Sequence, residues 1–392
     1  MTMSNGFPPA HPDFVPRTLD LQGLLERKSH FLLGPRQTGK SFLIRHTLRG
    51  AGVKVYDLLE SSTFLALNGE PERIRQELTE SDRFVVIDEI QRLPELLNEV
   101  HLMIEEMGVS FLLTGSSARK LRRGGVNLLG GRARTIRFHP FSRSELGVRF
   151  ELNRALQFGL LPSIYFSDDP AADLEAYAGM YLREEIIAEG SARNIPAFSR
   201  FLKVAALCSG TIVNFSEVAS DAQVPRTTVH EYFELLKDTL VLHEIPAWKE
   251  SAKRKPIRSS KYYFFDIGVA QSLQGRRIDP GTPEYGAAFE AYILHELKCD
   301  SDYRSRLPIS HWRTTSGFEV DFILADHTAI EVKAKEHLAP RDLRSLRALM
   351  EEKAMERYLC VCREPRPRKV DGIEVLPYEL FLDRLNGGDF GG

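Results

Sequence analysis

The sequence predicts an α/β protein of several domains, and three observations carry that prediction. One apolar run ends in G-x-x-x-x-G-K-S and passes into an amphipathic stretch, and a later one closes on two adjacent acids. Near the C-terminus, two strand-like runs carry charges where a buried strand should have none. At 392 residues the chain exceeds a single core, and roughly two to four domains are expected. Hydrophobic content of 43% and charged content of 27% are those of an ordinary globular protein. The formal net charge of -2 neither demands nor excludes nucleic acid, so any polyanion-binding surface must be local. Of the four cysteines, Cys208 and Cys299 are isolated, and Cys360 and Cys362 have no second pair to complete a zinc set. They read as free thiols in a reducing compartment. The first residues, MTMSNGFPPAHPDFVPR, lack the charged start and apolar core of a signal peptide. No apolar run approaches the ~20 residues of a membrane helix, and a cytoplasmic protein is expected.

The first element is HFLLGPRQTGKSFLIRHTL, an apolar strand, a glycine loop and an amphipathic helix. Such a loop wraps backbone N–H groups around a polyphosphate at a helix N-terminus. Gly34, Pro35, Arg36, Gln37, Thr38, Gly39, Lys40, Ser41 and Phe42 are therefore the candidate ATP-binding residues. Lys40 would neutralise the β- and γ-phosphates, and Ser41 would hold Mg²⁺. In RFVVIDEIQRLPELL, the apolar run Phe84 to Ile87 closes on Asp88 and Glu89. Acids at the C-terminal edge of a buried parallel strand point into the ligand crevice. Asp88 would orient Mg²⁺, and Glu89 would polarise the attacking water. The strand SFLLTGSS ends in Thr114 and Ser116, which can reach the γ-phosphate region. After a helix and the turn GGVNLLGG, a further strand is entered through Arg132 and Arg134.

This succession resembles an AAA+ ATPase core. More narrowly, VPR (Val15 to Arg17), GPRQTGKS, VVIDEIQRLP and LLTGSS resemble a prokaryotic AAA+ family in which the ATPase is followed by a C-terminal region similar to PD-(D/E)XK nucleases. The resemblance covers nearly the whole chain. It implies a homo-oligomer, expected to be a hexameric ring, in which Arg132 or Arg134 of one subunit serves as the arginine finger of the next. GLLP (Gly159 to Pro162) would open a helical lid running to about Asn194 and resembles the Gly-x-Pro turn of related ATPases.

The segment from Phe198 to Trp248 reads as three helices and a strand, with a short helix over Ser216 to Asp221 and a longer one from about Arg226 to Lys237. Val229, Tyr232, Phe233 and Leu236 form the buried stripe of the longer helix. This is the pattern of a winged helix-turn-helix. Arg226, Thr227, Thr228 and His230 could meet a DNA groove, although Glu231 and Glu234 on the outer face would repel phosphate. The wing KESAKRKPIRSSK carries Lys249, Lys253, Arg254, Lys255, Arg258 and Lys261 against Glu250. A one-signed cluster at a hairpin tip fits a phosphate backbone.

After the linker QGRRIDPGTPEYG, a helix beginning at about Ala287 carries Glu290. The run ISHWRTTSGFEVDFILAD is expected as one strand bearing Asp321, and a turn at His327 and Thr328 leads to AIEVKAK with Glu331 and Lys333. Two residues apart, Glu331 and Lys333 share a strand face. Carboxylates that hold Mg²⁺ beside a lysine are the inventory of metal-dependent phosphodiester hydrolysis. The set Glu290, Asp321, Glu331 and Lys333 resembles the PD-(D/E)XK core. The bland alternative is a DNA-binding or assembly module that keeps the acids without cutting.

The expected layout is a tail (1–18), an AAA+ P-loop core (19–146), a helical lid (147–195), a winged helix (196–275) and a nuclease-like α/β domain (276–392). The expected function is an ATP-driven motor that remodels or translocates on branched or double-stranded DNA, as in branch migration. An ATP-gated, Mg²⁺-dependent endonuclease and a non-catalytic nucleotide switch binding DNA or protein are the alternatives.

Overall fold

The computed structural model describes residues 14–48, 50, 52–117, 119, 129–181, 194–251, 253–276 and 278–390. Most of the expected tail, the helix expected after Ser117 with much of its following turn, and the later part of the lid lie outside the described residues. The chain packs as two compact units, one reaching to Gly147 together with Asp238–Leu240, the other holding Val148–Lys237 and Val241–Gly392. Among the described residues, no helix is long and apolar enough to cross a membrane.

The first unit is built on five parallel strands: β1 (Ser29–Leu33), β2 (Val53–Asp57), β3 (Phe84–Asp88), β4 (Ser110–Gly115) and β5 (Ala133–Arg137). Their spatial order is β2-β3-β4-β1-β5. This is a P-loop NTPase arrangement in which β4 lies between the loop strand and the acid strand. β1 is buried along its whole length, the polar Ser29 and His30 included, as a strand covered on both faces is. Helices α1 (Leu21–Leu25), α2 (Lys40–Thr47), α3 (Ser61–Gly69), α4 (Leu96–Met107) and α5 (Arg143–Leu146) surround the sheet. The buried stripe of α4, Leu96, Leu97, Val100 and Met103, has the spacing of one helical face. Because all five strands run in one direction, the residues that follow β1, β3 and β4 gather along a single edge.

In the second unit, α6 (Leu152–Phe158), α7 (Pro162–Tyr165) and α8 (Pro170–Ala176) share one apolar core with α9 (Ile195–Leu207), α10 (Phe215–Ala222), α11 (Arg226–Asp238) and α12 (Ile267–Gln274). Two short strands, β6 (Leu242–Ile245) and β7 (Lys261–Phe264), pair antiparallel between α11 and α12. GLLP is a docking junction here. Asp266 caps α12 by accepting the Val269 N–H at 3.1 Å, and its other oxygen accepts the Leu160 N–H at 2.7 Å. Gly159 has φ +77, and a Cβ there would lie 2.0 Å from Asp266 Oδ1, so only glycine fits the approach.

The C-terminal part is a six-stranded mixed sheet ordered β12-β13-β11-β10-β9-β8. Its strands are β8 (Ile309–Arg313), β9 (Glu319–Leu324), β10 (Thr328–Lys333), β11 (Arg357–Cys362), β12 (Arg368–Val370) and β13 (Ile373–Pro377). It is flanked by α13 (Pro283–Asp300), α14 (Arg344–Met350) and α15 (Tyr378–Asn386). Three details differ from the sequence reading. α13 starts before Ala287, because Thr282 caps it and Pro283 occupies its first turn. The single strand expected across ISHWRTTSGFEVDFILAD is an antiparallel pair, folded where Thr314 donates its N–H to the Phe318 carbonyl and Gly317 takes φ +87. The β9–β10 reversal lies at Ala325 and Asp326, both at positive φ, and Thr328 already belongs to β10.

The segment between β6 and β7 is not a protruding hairpin tip. It lies along the edge strand β8: the Trp248 N–H donates to the His311 carbonyl at 2.7 Å, and the Ile257 N–H donates to the Arg313 carbonyl at 2.8 Å. An uncovered sheet edge is a row of unpaired donors and acceptors, and this segment satisfies part of it.

Candidate functional site

The loop after β1 leaves the strand at Gly34 and passes into α2 at Lys40. A Cβ on Gly34 would fall 2.3 Å from the Phe138 carbonyl oxygen, so glycine is required where the loop leaves the sheet. Lys40 is buried, and its Nζ donates to the Gly34 carbonyl at 2.6 Å and the Pro35 carbonyl at 3.0 Å. The ammonium is thus folded onto the loop that would carry the phosphates. Thr38 is fully buried and donates to the Pro35 carbonyl, bracing the turn. Phe42 is 39% exposed and clusters with His46 and Phe14, whose rings stack at 4.4 Å. That cluster offers an aromatic face beside the loop.

Asp88, the last residue of β3, meets this loop. Ser41 Oγ donates to Asp88 Oδ2 at 2.6 Å, and Thr114 Oγ1 donates to the other Asp88 oxygen. A hydroxyl and a carboxylate so joined at the loop are the donor set Mg²⁺ takes with a bound nucleotide, and both can turn a lone pair to an ion. Ser41 and Asp88 therefore fit that ion. Glu89 follows at φ 62, a left-handed backbone uncommon outside glycine. Its carboxylate accepts from Gln91 Nε2, which also donates to Ser116 Oγ at 3.2 Å. Gln91 thus ties the expected water-polarising acid to the polar end of β4. The sequence reading gives Gln91 no role, although it lies two residues beyond Glu89.

Arg17 is the second residue to which the sequence assigns no role. Its side chain is 3% exposed and donates to the carbonyls of Thr38 at 2.9 Å, His139 at 2.7 Å and Pro140 at 3.2 Å. Nε lies 2.9 Å from Glu145 Oε2, an ion pair without hydrogen-bond alignment. Glu145 in turn closes the capping box of α5 with Ser142. Arg17 thereby fastens the phosphate loop to the chain that follows β5.

Arg132 and Arg134 stand away from this site. β5 pairs with β1 so that Ala133 meets Ser29 and Arg137 meets Leu33. At ~3.3 Å per strand residue, Ala133 is roughly 13 Å along the strand from the end that carries the loop. Arg132 pairs with Glu105, and Arg134 is exposed. Neither is placed to serve the phosphate loop of its own chain.

In the second unit, the sheet and α13 bring together the other predicted set. The β9–β10 register, with Phe322 opposite Ile330, carries Asp321 to the position opposite Glu331. Asp321 Oδ2 accepts the Val332 N–H at 2.8 Å, and Lys333 donates to Glu331 Oε1. Glu331 Oε2 is buried without a hydrogen-bond partner among the described residues. Burial, and next the charge of Glu290, lift the Asp321 carboxyl to about 7. Burial, and next Asp321, push Glu331 well above the carboxylate range. Burial pulls the Lys333 ammonium down, but Glu331 and Asp321 outweigh it and hold it above the usual lysine range.

Lys261 departs most from expectation. Counted from sequence as a wing cation, it is 1% exposed, with Nζ 2.6 Å from Glu319 Oε1, 3.3 Å from Glu290 Oε1 and 3.8 Å from Asp321 Oδ1. Tyr263, two residues on, donates to Glu290 Oε1 at 2.6 Å. Arg254 also leaves the free surface: it donates to the Ala348 carbonyl at 2.7 Å and pairs with Glu351 at 2.6 Å. Lys249, Lys253, Lys255 and Arg258 remain exposed. On α11, Arg226 and Thr227 are exposed and Thr228 is half-buried, while His230 stacks on Phe215 at 3.9 Å. As placed, the acids do not form a metal cage: among the described residues, no group of three or more His, Cys, Asp or Glu side chains is arranged to hold an ion.

Residues 26–147 match the AAA domain family. The chain therefore carries an AAA-type nucleotide-binding domain, whose boundaries enclose the loop, the acid pair, Gln91, Arg132 and Arg134. Beyond the AAA domain, residues 149–279 match a Domain of unknown function (DUF8612), and residues 285–381 match another, DUF4143. Uncharacterized proteins of Mycobacterium bovis and Mycobacterium tuberculosis are each 25% identical over 367 residues, covering 90% of this chain and 80% of theirs. Among solved structures, Can2 from Sulfobacillus thermosulfidooxidans in complex with cyclic tetra-adenylate aligns with 86% of this chain and 98% of its own, at 9% identity and a TM-score of 0.22. So slight a likeness bears on neither fold nor activity.

Proposed function

We propose that the chain hydrolyses ATP as a homo-oligomer, expected to be a hexameric ring, and uses the cycle to remodel or translocate on branched or double-stranded DNA. The observation that carries the ATPase reading is the hydrogen bond from Ser41 to Asp88, with Glu89 held beside it through Gln91 and Ser116. With ATP in the loop, Lys40 exchanges the Gly34 and Pro35 carbonyls for the β- and γ-phosphates. Ser41 and Asp88 would hold Mg²⁺, which neutralises phosphate charge when bound. Glu89 orients the attacking water, and Ser116 would reach the γ-phosphate from the end of β4. Arg132 or Arg134, remote from its own loop, would complete the site of a neighbouring subunit, and such a finger can contribute about 10³–10⁵ in rate.

DNA engagement is supported by the helices α10 and α11 with the following β6–β7 pair, the layout of a winged helix-turn-helix. Arg226, Thr227, Thr228, Lys253, Lys255 and Arg258 would meet the phosphate backbone, contacts that fix affinity without reading sequence. The test is an end-labelled four-way junction incubated with protein, Mg²⁺ and ATP and split between native and denaturing gels. Full-length strands separated into duplexes only with ATP support the motor, and Lys40→Ala should abolish both ATP binding and separation while leaving the fold intact. Tight nucleotide retention without turnover or strand movement would overturn it in favour of a switch.

A metal-dependent endonuclease is the second reading. It is favoured by the meeting of Glu290, Asp321, Glu331 and Lys333 and by the unpartnered Glu331 Oε2. Shortened strands on the denaturing gel, lost in Glu331→Ala, would establish it.

A further inference from the structure

We infer that Lys261 is the resident cation of the C-terminal acid cluster, and that it and a divalent metal ion are mutually exclusive occupants. The inference takes from the endonuclease reading only the class of the competing ligand. It stands on the positions of side chains within the second unit.

The cluster holds four carboxylates, Glu290, Glu319, Asp321 and Glu331, contributed by α13, β9 and β10. Two ammonium groups enter it, Lys333 on Glu331 and Lys261 among the other three. A lysine this buried is costly unless its charge is met, and here carboxylate oxygens meet it from three sides. Its backbone is fixed twice, by pairing with Ile245 across β6–β7 and by a bridge to Ile212. The neighbouring hydroxyl of Tyr263 occupies Glu290 from the same strand. The lysine is thus delivered by a hairpin outside the six-stranded sheet into that sheet's acid face.

A divalent ion bound by carboxylates takes their oxygens at about 2.0–2.6 Å. For Glu290 and Asp321 to supply those oxygens, the Lys261 ammonium would have to vacate the space between them, because it offers no lone pair and repels the ion. Glu331 Oε2 keeps an open valence, yet a single oxygen does not make a cage. While Lys261 is in place, the cluster is balanced without metal. Metal-dependent chemistry there is conditional on its withdrawal.

The experiment titrates Mn²⁺ into the full chain without nucleotide, read by isothermal calorimetry and by electron paramagnetic resonance of free Mn²⁺. Wild type and Asp321→Asn should give the same flat titration. Lys261→Met should acquire a site that Lys261→Met combined with Asp321→Asn lacks. The apparent affinity should rise about 100-fold if the lysine-filled state dominates wild type. Lys261→Arg, which keeps the cation, should remain flat. Wild-type Mn²⁺ binding that Asp321→Asn removes, at an affinity matching Lys261→Met, would overturn the inference. So would a folded Lys261→Met that takes up no ion. If Lys261→Met does not fold alone, Mn²⁺ should restore its unfolding transition, and failure of Mn²⁺ to do so would count against the proposal. Cleavage is scored separately: metal uptake by Lys261→Met without DNA cutting keeps the inference and removes the endonuclease reading.

Discussion

Replacing Arg17 with alanine tests whether the phosphate loop is anchored from outside its own motif. The guanidinium is 3% exposed, and its partner Glu145 is fully buried. Removing one member of a buried ion pair costs about 3–5 kcal/mol, here because Glu145 keeps its hydrogen bonds from Thr18 and Ser142 but loses its only countercharge among the described residues. The carbonyls of Thr38, His139 and Pro140 lose a donor as well. Water entering the vacated volume can meet some of them, so about 4 kcal/mol is a reasonable total. For a unit of this size that corresponds to a fall in Tm of roughly 10 °C. The assay is thermal unfolding of the full chain with and without ATP, since the transition that ATP shifts upward reports the first unit. ATP affinity should fall with stability, because Thr38 belongs to the loop. Glu145→Gln should be non-additive with Arg17→Ala, the double variant losing little more than either single. A Tm within about 2 °C of wild type at unchanged ATP affinity, or strict additivity, would refute the anchoring role.

Other predictions concern single groups. Gln91→Ala frees Glu89 and Ser116, and a misplaced water-orienting acid should lower ATP turnover by up to about 100-fold while ATP binding is retained; unchanged turnover would remove Gln91 from the site. Reversing the charges of Lys249, Lys253, Lys255 and Arg258 should weaken DNA binding for every sequence. For each phosphate no longer neutralised, the log–log salt slope should flatten by about 0.9. Arg254→Ala should instead lower the Tm, since Arg254 is bound to Ala348 and Glu351; unchanged DNA affinity in the reversed variant would point to another surface. Burial raises the Asp266 carboxyl to about 6, with backbone N–H groups from Leu160 and Val269 opposing. A carboxyl raised on folding contributes stability present below its unfolded value and lost as pH rises through its folded value. Relative to Asp266→Asn, wild type should therefore lose on the order of 3 kcal/mol between about pH 4 and pH 7; a pH-independent difference in chemical denaturation would contradict it.

The first unit is largely legible in the sequence because its central strands β1, β3 and β4 are buried nearly throughout and so read as largely apolar runs, whereas β2 and β5 are partly exposed and carry charges. The phosphate loop and the acid pair are local motifs whose chemistry depends on adjacent residues. Arg17 is not legible in that way, since its partners are 21 to 123 residues away in sequence. The split of ISHWRTTSGFEVDFILAD is signalled by Thr-Thr-Ser-Gly, turn-forming residues inside an otherwise apolar run. The early start of α13 is signalled by Thr282-Pro283 within what reads as a linker. Lys261 is hidden by the charge run before it. The period-two pairing of Lys261 with Tyr263 on β7 is the available clue, but only the fold reveals that this face meets acids.

The two carboxylate sites differ in how they treat charge, and the difference predicts which one accepts a metal. Asp88 and Glu89 are held by neutral groups: Ser41, Thr114 and Gln91. A hydroxyl that donates to a carboxylate still carries lone pairs, so Ser41 can pass from donor to ligand without leaving its place. The negative charge of the pair is left for a cation arriving with the nucleotide. In the C-terminal cluster, the donors to Asp321, Glu290 and Glu331 include two ammonium groups, which have no lone pair, and the one among Glu290, Glu319 and Asp321 must leave before an ion can enter. Possessing the four-residue inventory of a nuclease core is therefore not sufficient for metal chemistry. The contribution of β7, from outside that inventory, decides whether the acids face an ion or a lysine.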